Sequence, residues 1–257
     1  MLARRAAPGQ DARRQGILRQ NRCRSPMSDP IFTHPAAARQ RFREFAEGEI
    51  TNANLALGAL LIALEDHPKL DVDHYLDELD ALAGRVAGRC LPHDPPIFRL
   101  GHLHAEMFDA AGYAGCGDDY YNVRNGYLHQ VIDRKAGIPI NLSIIFLHVA
   151  SRLGLRAAGV GLPGHFIVKV QFDLSEVYID PFNAGATLSI QDIAGLLQGT
   201  SGRKARLSAE HLRAWGGRQV LIRVLANLVS MWARIGESRK AAAARERMVL
   251  LSELAPN

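Results

Sequence analysis

Cysteine is scarce in this 257-residue chain, and the three present, Cys23, Cys90 and Cys116, are odd in number. Their spacing matches neither a zinc site nor a secreted disulfide framework, which favours a reducing, cytoplasmic setting. Ten histidines are scattered without HExxH or CxxC companions, so no metal site and no cofactor is expected. No run of eighteen uncharged apolar residues occurs, which excludes a conventional membrane helix and predicts a soluble protein with no membrane partner. Beyond the first thirty residues an excess of either charge sign is also missing. Seven arginines against two aspartates in residues 1–30 supply the whole formal net charge of +5, so the body is neutral and no nucleic-acid partner is expected. That segment, residues 1–30, lacks the apolar core of a signal peptide. Its Arg-rich, acid-poor character suits a transit peptide, a disordered basic extension, or a start assigned upstream of Met27.

What is present is a chain with 47% hydrophobic residues, long enough for one main domain with a sizeable core. Residues 35–112 read as a helical N-terminal region. Leu55, Ala59, Ile62 and Ala63 recur at helical spacing before Pro68. Val72, Leu76, Leu79, Leu82 and Val86 repeat the pattern, with Asp71 or Asp73 as N-cap. A Pro-rich loop, CLPHDPPI, precedes a further helix, FRLGHLHAEMFDAAG.

Residues 113–217 form the central region. After the Gly-rich stretch GYAGCGDDYYN, VRNGYLHQVIDRKAG reads as a short helix and IPINLSIIFLHVASRLG as another. Pro139 suits the first turn of the latter, because its missing N–H is one that the helix would leave unpaired anyway, and Gly154 stops it. Apolar residues surround this helix on nearly all sides, which predicts burial. GHFIVKVQF and VYIDPF then read as an antiparallel hairpin. Phe166, Val168, Val170 and Phe172 share one face, and His165, Ile167 and Lys169 the other. With an even number of loop residues Asp180 shares the face of His165, within reach of it. A carboxylate so placed fixes the tautomer of the imidazole and leaves the second ring nitrogen free to take a proton. The same pair would also form if the two residues merely satisfied each other. His129 and His148, on apolar helices, read as satisfied core or boundary histidines, and Asn183 and Gly185 as turn residues.

The stretches NGYLHQVIDRKAGIPINLSIIFLHVASRLGL, GVGLPGHFIVKV and VYIDPFNAG, with the earlier ALLIALEDHPKLDVDHYLDELDALA, resemble the SirB-type branch of the transglutaminase-like superfamily. The PGHF and DPFNxG pair is the most specific part. The resemblance implies an α+β, papain-like core in which a cysteine at the start of a buried central helix meets a histidine and an aspartate from adjacent strands of a small antiparallel sheet. His165 matches that histidine and Asp180 that aspartate. The cysteine position falls on or beside Pro139, which has no nucleophile. Asn141 and Ser143 lie further round the helix, and Cys116 reaches the site only if its loop folds over the helix start.

Residues 218–257 read as two helices divided near Gly236. Asn227, Leu228, Trp232, Gly236, Ala241, Pro256 and Asn257 resemble a tetratricopeptide-type hairpin, about one turn too long between Ala241 and Pro256. With one copy of the motif, packing against the core is favoured over a groove offered to a partner. The functional expectation is a transglutaminase-like pseudoenzyme. It would bind a polypeptide partner or small polar ligand in a cleft formed by His165, Asp180, Asn141, Ser143, Gly164 and Asn183. The rival expectation is a hydrolase or acyltransferase that uses His165 and Asp180 with activated water or a recruited Cys116.

Overall fold

The computed structural model describes residues 32–201 and 206–254, apart from the side chains of residues 200 and 201. The basic segment with Cys23 and Met27, and the terminal Pro256 and Asn257, lie outside the described residues. Helices dominate. They are α1 (Pro35–Glu47), α2 (Leu55–Leu64), α3 (Val72–Ala87), α4 (Pro96–His104), α5 (Leu128–Arg134), α6 (Pro139–Arg152), α7 (Ile190–Ser201), α8 (Gly217–Arg234) and α9 (Ser238–Glu253). Two short strands, β1 (Ala114–Gly115) and β2 (Ala136–Gly137), pair in parallel. The strands β3 (Arg156–Leu162), β4 (His165–Gln171), β5 (Glu176–Asp180) and β6 (Ala186–Leu188) form an antiparallel meander in chain order.

Helix α6 is the axis of the core. Twelve of its fourteen residues are buried, and its apolar side chains share one cluster with Phe166, Val168, Val170 and Ile179 of the sheet. Ile167 and Tyr178 turn to the opposite sheet face, where Ile193 of α7 covers them. Pro139 occupies the first turn of α6 as the sequence predicts, and Gly154 follows its end at φ +69°, a left-handed backbone that favours glycine. Asp71 caps α3 by accepting from the His74 N–H at 3.0 Å.

Several elements differ from the sequence reading. The stretch before the histidine is a strand, β3, joined to β4 by the two residues Pro163 and Gly164. Leu162 pairs with His165 across them, and Gly164 has φ +72°, the positions that proline and glycine take in a type II turn. Small residues, alanines and glycines, hide this strand because they lack β-branched bulk. Gly159 and Gly161 admit the rings of Phe166 and Trp215, which a Cβ at either would strike. The helix expected over FRLGHLHAEMFDAAG changes to a π-helical turn, Ala105–Ala110, after α4. That over VRNGYLHQVIDRKAG starts as a 3-10 turn, Val123–Gly126, before α5.

The C-terminal helices meet at Gly236, with φ +80°. Helix α8 inserts Val220, Leu221, Val224, Leu225, Leu228 and Met231 into the main core, and Arg247 of α9 donates to the Ile62 carbonyl at 2.7 Å. Among the described residues no helix is long and apolar enough to cross a membrane.

Candidate functional site

The Pro-Gly turn makes His165 the first residue of β4. From there the register of β4 against β5 pairs Val168 with Ile179, so one step further Ile167 faces Asp180. Four residues separate the two strands, which leaves Asp180 on the same face as His165, as an even loop requires. His165 Nε2 lies 2.8 Å from Asp180 Oδ2.

Asp180 is completely buried and its carboxylate is saturated. Oδ2 also accepts from the Asn183 side-chain amide at 2.6 Å. Oδ1 accepts from the backbone N–H groups of Phe182 at 3.0 Å and Asn183 at 3.4 Å, so the aspartate caps the 3-10 turn Pro181–Asn183. An acceptor on Nε2 places the imidazole proton there and leaves Nδ1 with no hydrogen bond to a described residue. The His165 ring meets Phe182 edge-on, with centroids 5.9 Å apart. Phe182 in turn covers Gly115, where a Cβ would lie 2.5 Å from its ring.

The start of α6 lies beside the same structure. The Cys116 N–H donates to the Gly137 carbonyl at 3.1 Å, so β1 and β2 bring Cys116 next to the helix entry. Pro139 at that entry is buried. Cys116 does fold close to the helix start, but no hydrogen bond joins its Sγ to His165 among the described residues. Burial pushes its thiol above the ordinary value, outweighing the attraction of Arg134. This is the opposite of what an activated thiolate requires.

The other expected cleft residues divide. Gly164 and Asn183 are exposed beside the dyad, whereas Asn141 and Ser143 are fully buried and line no cleft. Asn141 instead donates to the Asn125 carbonyl at 2.7 Å, tying the first turn of α6 to the 3-10 turn before α5. Its Oδ1 and the Ser143 hydroxyl have no hydrogen-bond partner among the described residues. His129 is buried but not satisfied, since its Nδ1 has no partner among the described residues, and burial pushes it down to about 3. His148 is half satisfied: Nε2 contacts Asp80 at 2.8 Å and Nδ1 has no partner among the described residues. No group of three or more metal-ligating side chains occurs among the described residues.

A buried helix packed on a meander, with a histidine and a capped aspartate at one end, defines a class that comparison with known proteins identifies. The profile of the transglutaminase-like superfamily matches residues 73–226, and the chain belongs to that superfamily. Its relatives include a UPF0162 protein of Xylella fastidiosa, 33% identical over 202 residues that cover 77% of this chain and 71% of the relative. A UPF0162 protein of Pseudomonas aeruginosa is 29% identical over 195 residues, covering 75% of this chain and 70% of the relative. F-box only protein 21 of Homo sapiens is 28% identical over 166 residues, covering 62% of this chain and 26% of its own length. No solved structure matches.

Proposed function

We propose that this protein is a transglutaminase-like pseudoenzyme of the SirB type, a papain-like core that has kept its His–Asp pair without a nucleophile and serves as a polypeptide-binding module. The observation that carries this reading is the residue at the helix entry. Pro139 is buried there and has no side-chain atom that can attack a carbonyl or hold a negative charge. Acyl transfer through His165 needs a nucleophile within hydrogen-bond reach of Nδ1. Cys116 makes no such bond among the described residues, and its raised thiol favours the unreactive protonated form. The saturated environment of Asp180 supports a structural task for the pair, since it closes β5 and shapes the exposed turn around Asn183. The likeness to 26% of F-box only protein 21 supports use of this fold as one module within larger proteins. The C-terminal helices, a tetratricopeptide-like hairpin on this reading, act as a closing element of the core.

Turnover of an activated acyl ester is the direct test, with the full chain, His165→Ala and Cys116→Ser compared. The expected result is no turnover above the His165→Ala background and no acyl adduct on intact-mass analysis. A stoichiometric adduct at Cys116 that requires His165 would establish the acyltransferase instead. The binding half of the reading is tested by a photo-crosslinking residue at exposed Pro163. It should capture a defined polypeptide that the same residue at exposed Leu174 does not; equal capture at both positions would remove the dyad end as the docking site.

A further inference from the structure

A cavity of about 600 Å³ lies away from the dyad, where the end of α2, the loop before α5 and the turn between α8 and α9 converge. Neither His165 nor Asp180 lines it. Its walls are aromatic and basic. Arg234 holds its guanidinium 3.7 Å from the centre of the Tyr121 ring, and Lys240 lies 4.2 Å above Trp232. Both acids in the wall are already engaged. Asp66 accepts from the Tyr127 hydroxyl at 2.5 Å and attracts Lys240 at 3.7 Å, and Asp119 accepts from the Asn122 amide at 2.6 Å. Arg124 and Arg234, in contrast, have no carboxylate partner among the described residues. Two exposed guanidiniums that no carboxylate pairs among the described residues can hold an anion, and the paired N–H groups of arginine match the oxygens of a phosphate.

The rest of the wall specifies what the anion is attached to. Trp232 donates its Nε1–H to the Tyr127 hydroxyl at 3.1 Å, which fixes the indole, with Lys240 over one face, in the cavity lining. Rigid ring faces beside cations accept planar, electron-rich heterocycles by stacking. The volume falls within the range of about 300–1,000 Å³ typical of small-ligand sites.

We infer that this cavity binds a nucleoside monophosphate, with the phosphate held by Arg124 and Arg234 and the base stacked on Trp232. The site is independent of the reading of the His165 end. Calorimetric titration of the full chain with adenosine monophosphate, adenosine, inorganic phosphate and indole-3-acetate tests it. The monophosphate should bind at least tenfold more tightly than adenosine or phosphate alone. Arg124→Gln and Arg234→Gln should each weaken it about tenfold or more, the size of one lost charged hydrogen bond. Both arginines are exposed and have no carboxylate partner among the described residues, so these variants keep the fold, which circular dichroism verifies; Arg156→Gln, remote from the cavity, controls for net charge and should leave affinity unchanged. Absence of heat with the monophosphate at millimolar concentration overturns the proposal. So does equal binding of phosphate alone, tighter binding of indole-3-acetate, or affinity unaltered by the double arginine variant.

Discussion

Asp180 shows how much one side chain can hold in place. Its carboxylate accepts from His165, from the Asn183 side chain and from two backbone N–H groups, all in a fully buried setting. Asp180→Ala strands these donors and should destabilise the fold by about 2–4 kcal/mol in urea unfolding, with Asp180→Asn costing less. His129 presents the reverse case, a buried imidazole with an unpaired nitrogen. Burial pushes it down to about 3, so below pH 6.5 the unfolded chain takes up a proton that the folded one refuses. Stability is therefore complete above about pH 6.5 and falls as the pH drops toward 3, by up to about 1.4 kcal/mol per pH unit for each such proton. Burial lowers His67 and His148 in the same direction. His129→Leu should reduce the proton uptake on unfolding at pH 5 by about one, measured from the pH dependence of urea stability. An unchanged slope would show that His129 is solvated and charged in the native state. The approach of Asp180 to His165 was legible in the sequence because strand alternation and an even connecting loop put both on one face. Asn141 was misplaced because a helix apolar on all sides gives no sign of which polar residue faces a cleft and which ties two buried turns together.

At the scale of elements, periodicity identified the strongly patterned helices and the β-branched strands, and it failed where residues were small. β3 contains two alanines and two glycines, and its value lies in what the glycines admit, the rings of Phe166 and Trp215. β1 and β2 are two residues each, too short for any pattern, yet they set the approach of Cys116 to α6. Gly115 is the critical point of that pairing, because a Cβ there would meet both the ring and the carbonyl oxygen of Phe182 at about 2.5 Å. Gly115→Ala should cost about 1–3 kcal/mol by overpacking and shift the Phe182 and His165 resonances together. Loss of stability without movement of the His165 resonance would separate β1 from the dyad.

Across the whole molecule, the main core, which α1, α2, α6, α8 and α9 share, makes the C-terminal hairpin part of the fold. A chain cut before α8 loses six buried side chains and should show a non-cooperative unfolding transition; a cooperative transition of native amplitude would show that the hairpin is an appendage. The cavity near Trp232 was invisible to a reading along the chain, since its walls come from segments more than a hundred residues apart, such as Asp66 and Lys240. The same assembly brings Cys116 to the helix entry with no hydrogen bond from its thiol to His165 among the described residues. The central claim, a His–Asp pair with no working nucleophile, is tested most directly by site-resolved alkylation of Cys116 with iodoacetamide across pH in the full chain and in His165→Ala. The account predicts slow labelling at pH 7, a rate that rises steadily with pH and levels off only above the ordinary thiol value of 9.0, and the same profile in both proteins. Fast labelling of Cys116 below pH 7 that collapses in His165→Ala would contradict it.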